Sequence, residues 1–206
     1  MLYQKSVLKK YLNEQNDDTV KAAYEIFKSY FHNPKIQQNI IDSKEEQFQE
    51  GFLRELFVAV FGYILNPQPE FNLTTELKNE KGSKKADGAV LKDGKAVAVI
   101  ELKSTKTKDL ESIRQQAFDY KANHSDCVYI ITSNFHKLRF YINNAVEFEE
   151  FDLFSLTFDQ FKLLFLCLNS ENLLSDLPLK VKEASILEEE TITKKFYDDY
   201  SNFKKD

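Results

Sequence analysis

Cysteine, histidine, glycine and proline are all scarce in this 206-residue chain, with two, three, five and four copies respectively. Each shortage excludes something. Cys127 and Cys167 lie far apart within the apolar segments CVYII and LFLCL, where a buried free thiol is the ordinary state, so no disulfide framework is expected. His32, His124 and His136 have no paired spacing with one another or with the cysteines, which excludes a zinc pattern and any metal held by soft ligands. Scarce Gly and Pro beside 42% apolar residues, 18 Phe and 10 Tyr exclude global disorder. No stretch approaches the roughly 18 consecutive apolar residues of a membrane span, and the start MLYQKSVLKKYLNEQ has no signal-peptide core. No membrane partner and a reducing, cytoplasmic location are therefore expected. Also missing are internal repeats, a P-loop G-x-x-x-x-G-K, a methyltransferase N-P-P-Y and a zinc finger. The length suits one substantial domain with a buried core.

A net charge of -5 argues at first sight against a polyanionic partner. The charge is unevenly spread, however. From Lys78 to Lys108 nine lysines face four acidic residues, so a basic segment sits in an otherwise acidic chain. Such a dipolar arrangement can hold phosphate near one region while the remainder repels it.

Apolar spacing predicts two helices between Tyr3 and Phe31, broken at Asn16 to Thr19 with Asp18 as a cap. Pro34 is read as ending that region, and a third helix is expected from about Lys44 to Leu65, capped by Asp42 or Ser43. The pattern then changes to strands. A short extended piece at Phe71 to Leu77 precedes the basic loop NEKGSKK, and Ala86 to Leu91 and Ala96 to Lys103 flank Lys92-Asp93-Gly94-Lys95. Asp-Gly between two strands is a strong hairpin signal. A helix at Leu110 to Ala122, strands at Cys127 to Thr132 and Leu138 to Ile142, and an apolar helix at Phe158 to Leu168 complete the pattern. The expected fold is α/β: a mixed central sheet flanked by helices, with added N-terminal helices and a C-terminal helical tail. Residues 1–172 are read as the domain and 173–206 as a charged helical connector.

Asp87 opens the first hairpin strand, and Glu101 and Lys103 stand two apart near the end of the second. Alternation puts the latter two on one face, and antiparallel pairing about Asp93-Gly94 brings Asp87 to the same end. Two carboxylates and an ammonium then converge. Hard carboxylate oxygens suit Mg²⁺, with Mn²⁺ as a substitute, and a nearby lysine can orient water and offset developing negative charge. Glu101 also ends the buried run AVAVI, where a carboxylate is costly unless paired or metal-bound.

Ala86-Asp87-Gly88 with Val99-Ile100-Glu101-Leu102-Lys103 resembles the D-x(n)-E-x-K core of the PD-(D/E)XK nuclease superfamily, with Ala in place of the nominal Pro. Gln116 and Tyr120 in the following helix resemble the Q-x-x-x-Y motif of restriction and RecB-like nucleases, and Glu46 is similar to that family's first-helix Glu, with Glu45 and Glu50 as close rivals. The layout over residues 40 to 145 is similar to the N-terminal nuclease domain of type IIG restriction-modification enzymes. That resemblance implies a Mg²⁺-dependent DNA endonuclease with Asp87, Glu101 and Lys103 catalytic, Asp87 and Glu101 as metal ligands, and Glu46, Gln116 and Tyr120 in support. Lys84, Lys85, Lys106 and Lys108 are then the candidate DNA contacts. Downstream methyltransferase and target-recognition domains and a transient dimer on DNA are the implied partners. A nuclease domain of a type I restriction or DNA-repair enzyme, or an inert binding module with the nuclease fold, are the alternatives.

Overall fold

Four short N-terminal helical segments lead into a six-stranded sheet, and a helical region closes the chain, in a computed structural model that describes residues 1–78 and 85–203. Helices α1 (Lys5–Glu14) and α2 (Asp17–Phe31) break at the expected place. The cap of α2 is Asn16, whose side chain accepts the Thr19 N–H, rather than Asp18. Helix α2 does stop just before Pro34, but Pro34 also begins α3 (Pro34–Asp42), which the sequence pattern did not predict. Its missing N–H costs nothing at the first helical position, and Asn33 caps the amides that follow.

The third predicted helix starts as α4 (Glu45–Phe52) and continues as a π-helical stretch, Leu53–Val60. Phe61 N donates to Leu56 O five residues back at 3.2 Å. The widened turn buries Leu53, Leu56, Phe57 and Val60 together, and Gly62, at φ +76°, terminates it. Neither Asp42 nor Ser43 caps α4. The Gln47 side chain instead accepts the Lys44 N–H at 2.8 Å.

Strands β1 (Leu73–Lys78), β2 (Lys85–Lys92), β3 (Lys95–Leu102), β4 (Tyr129–Ser133), β5 (Lys137–Ile142) and β6 (Phe148–Asp152) lie in sequence order across the sheet. Every neighbouring pair is antiparallel except β3 and β4, which are parallel and joined by α5 (Glu111–Lys121). A parallel connection needs such a crossover, whereas the β2–β3 arms need only a two-residue turn. Asp93 and Gly94 supply that turn with φ +51° and +77°.

Both faces of β3 are covered, as its continuous apolar run requires. Ala98, Ile100 and Leu102 join the large core built with the N-terminal helices and α6 (Phe158–Leu168), α7 (Ser170–Leu174) and the start of α8 (Leu177–Phe203). Val99 lies on the opposite face, in a smaller cluster with Ile130, Tyr141 and, from α5, Ala117 and Tyr120. Val181 and Ser185 dock α8 against the body, while residues Ile186 to Asn202 are exposed. Both cysteines are free and buried. Among the described residues no helix is long and apolar enough to cross a membrane.

Candidate active site

The tight β2–β3 turn sets Gly88 opposite Ile100, and one step further on Asp87 comes level with Glu101. Asp87 Oδ2 accepts the Leu102 N–H at 2.7 Å, and its Oδ1 accepts from Gln49 of α4 at 3.1 Å. Lys103 Nζ donates to Glu101 Oε1 at 2.9 Å, Leu102 O at 3.0 Å and Glu45 Oε1 at 3.3 Å, which uses the donor capacity of an ammonium. Asp87, Glu101, Lys103 and Glu45 therefore form one cluster where β3 ends and α4 begins.

Gly88 is needed for this approach. A Cβ on it would meet Leu53 Cδ1 at 3.2 Å and Thr74 O at 3.4 Å, so the absence of a side chain lets the π-helical stretch settle on β2 beside Asp87.

Glu101 is only 1% exposed, and its Oε2 has no hydrogen-bond partner among the described residues. Burial, with a further contribution from the Asp87 charge, pushes its carboxyl up to about 7 against the opposing pull of Lys103. Burial also raises Asp87, although the Leu102 amide, Lys103 and Gln49 oppose it. Burial alone would lower the Lys103 ammonium, but the charges of Glu101, Asp87 and Glu45 outweigh it and hold the group above its ordinary value. Two carboxylates that resist ionisation beside one fixed cation make a site with unused affinity for positive charge.

Asp87 and Glu101 are the side chains that could hold a cation here, since Glu101 Oε2 has no hydrogen-bond partner among the described residues. Among the described residues no group of three His, Cys, Asp or Glu side chains is drawn together as a closed metal cage. An open two-carboxylate arrangement suits a hard cation that retains several waters.

Not every predicted site residue reaches this place. Glu46 is exposed, and Glu45, its rival one residue earlier, meets Lys103 instead. Gln49 was missed by sequence reasoning. Glu45 and Gln49 stand at i and i+4 beside the buried Phe48 and Phe52, whereas Glu46 points further round the helix. That phase was the available signal. Gln116 Nε2 bonds Tyr120 Oη at 3.1 Å on the inner side of α5, and the charges of Glu101 and Asp87 reach Tyr120, whose hydroxyl is raised chiefly by burial.

Of the basic candidates, Lys106 and Lys108 are exposed in the loop after β3. That loop is pinned by Thr105 Oγ1 to Ile41 O at 3.2 Å and by Asn134 Nδ2 to Thr107 O at 2.8 Å. Lys85 is paired with Glu76 at 2.7 Å, and Lys84 lies outside the described residues.

A family model, that of the type I restriction enzyme R protein N terminus, matches residues 4–147, which include every side chain of this cluster. The chain belongs to this family. As an R-protein N-terminal domain it is a nuclease-type domain of a restriction enzyme, and DNA is the partner this membership implies. Among the sequence expectations the match is consistent with the type I alternative. No curated protein and no solved structure matches the chain.

Proposed function

We propose that this domain is a divalent-metal-dependent DNA endonuclease of the PD-(D/E)XK kind, working in a type I restriction context. The observation that carries this reading is the buried Glu101 oxygen without a partner, beside Asp87 and within one cluster with Lys103. Asp87 and Glu101 would hold Mg²⁺, or Mn²⁺ in its place. When bound, the metal supplies Lewis acidity toward a phosphodiester oxygen and lowers the pKa of a coordinated water.

The remaining work falls to the chain's own groups. Asp87 is already aimed, because the Leu102 amide and Gln49 hold both of its oxygens. Lys103 is kept charged by three carboxylates and can orient a water and offset charge developing on the phosphate. Glu45 holds the ammonium from the other side and limits its motion. Lys106 and Lys108 offer exposed charge for the DNA backbone.

The matched family is consistent with the type I context. The test is incubation of the chain, and of Asp87→Ala and Lys103→Ala, with supercoiled plasmid and Mg²⁺ or Mn²⁺. Nicking by the wild type that both variants lose supports the reading. Nicking that survives Asp87→Ala refutes the site, and silence of the wild type, alone and in its full-length context, favours the inert binding module.

A further inference from the structure

Seven buried side-chain polar atoms lack a hydrogen bond among the described residues, and three of them lie together: Glu101 Oε2, Thr132 Oγ1 and Tyr141 Oη. Thr132 and Tyr141 are fully buried. Parallel pairing sets Glu101 level with Thr132, and antiparallel pairing sets Thr132 level with Arg139. Alternation puts all three on the α5 face, with Val99, Ile130 and Tyr141 one pleat away. Burial raises the Tyr141 phenol, and Arg139 and Thr132 pull it back down, so both stand close to its hydroxyl. Arg139 is itself fixed by Glu150 at 2.7 Å and Glu111 at 2.8 Å.

Buried polar atoms rarely go unpaired, and three that share one face invite a common explanation. The donor inventory allows one direction. An ionised carboxylate only accepts, a guanidinium only donates, and each hydroxyl has a single proton to give. A chain from Arg139 through Tyr141 and Thr132 to Glu101 satisfies every member.

We propose that Thr132 is a positioning residue whose hydroxyl donates to Glu101 Oε2, directly or through one trapped water, and accepts from Tyr141. This rests on the nuclease reading above and deepens it: one lone pair of Glu101 Oε2 accepts from a neutral hydroxyl, and the second lone pair and the carboxylate charge stay free for the cation. Partners of this kind tune metal affinity by about 10- to 100-fold when removed.

The test measures Mn²⁺ binding to the full chain by calorimetry, with and without duplex DNA, for wild type, Thr132→Val and Thr132→Ser. Thr132→Val should bind about tenfold or more weaker. Thr132→Ser should stay within about threefold of wild type, because it keeps the hydroxyl. The thermal midpoint of Thr132→Val should fall below that of Thr132→Ser, since Val leaves Glu101 Oε2 and Tyr141 Oη without their shared partner. Equal binding by wild type and Thr132→Val overturns the proposal, as does equal weakening by Val and Ser. A high-resolution crystal structure judges the link independently of metal. A hydrogen-bond distance or a single shared water between Thr132 Oγ1 and Glu101 Oε2 upholds it, and separated, dry atoms overturn it. If the wild type binds no Mn²⁺ and cuts nothing, the nuclease reading fails, and the crystal structure alone decides the Thr132 link.

Discussion

Glu101→Gln should make the domain more stable and inactive at once, and the size of the gain follows from the site. In the folded chain the Glu101 carboxyl lies at about 7, against 4.5 for an ordinary glutamate. At about 1.4 kcal/mol per pKa unit, ionising it in place costs on the order of 3 kcal/mol relative to the unfolded chain. Between those two values the folded state binds more protons than the unfolded one. Stability therefore falls as pH rises through that window and levels off above it. Gln mimics the protonated carboxyl, but its amide hydrogens need acceptors, which reduces the gain at pH 8 to about 1–3 kcal/mol. For a chain of this length that is roughly 2–12 °C in the thermal midpoint. Urea denaturation in EDTA at pH 8 and pH 5 reads the difference directly. At pH 5 the wild-type carboxyl is protonated, so the gain should shrink below about 1 kcal/mol. Saturating Mg²⁺ should narrow the pH 8 gap by stabilising only the wild type. A Glu101→Gln variant less stable than wild type at pH 8, or a gain equal at both pH values, would refute the reasoning.

Four other single substitutions examine the site and its surroundings. Gly88→Ala forces a Cβ to within 3.2 Å of Leu53, so urea denaturation should read a loss of about 1–3 kcal/mol, partly recovered when Leu53→Val is added. Phe135 is fully buried with its ring 5.0 Å from Phe48 and 5.3 Å from Phe52, and Phe135→Ala should cost about 3–5 kcal/mol in the same assay. Lys106→Ala and Lys108→Ala should each flatten the plot of log affinity for DNA against log salt by about one unit if both contact phosphate. Fluorescence anisotropy across a salt series measures it, and an unchanged slope would remove these residues from the DNA face.

How far the sequence led depended on whether a feature was local. The β2–β3 hairpin was legible because Asp93-Gly94 states its own geometry, and the alternation of Glu101 and Lys103 then followed. Helix α3 was missed because proline ends one helix and opens another with equal ease, and only the Asn33 cap distinguishes the cases. Strand β6 went unseen because FEEFD looks like a solvated loop; Glu150 instead pairs with Arg139 and Lys137 across the ladder. Glu45 and Glu46 were separable by their spacing from Phe48 and Phe52, a helical phase that the choice of Glu46 passed over. Thr132 gave no signal, since its alignment with Glu101 depends on a pairing that the chain makes only after a long crossover.

That crossover divides the sheet into two three-stranded meanders, β1 to β3 and β4 to β6, meeting along one seam where β3 pairs with β4. Within each meander, successive strands pair across short connections. The seam must first enclose residues 103–128, so it carries the larger loop-closure entropy and is expected to form after the halves it joins. Glu101 and Thr132 face each other across it. A transient parting there would disarm the cluster while both halves kept their ladders, so amide exchange in the β3–β4 pairing is the place to watch for loss of competence without unfolding.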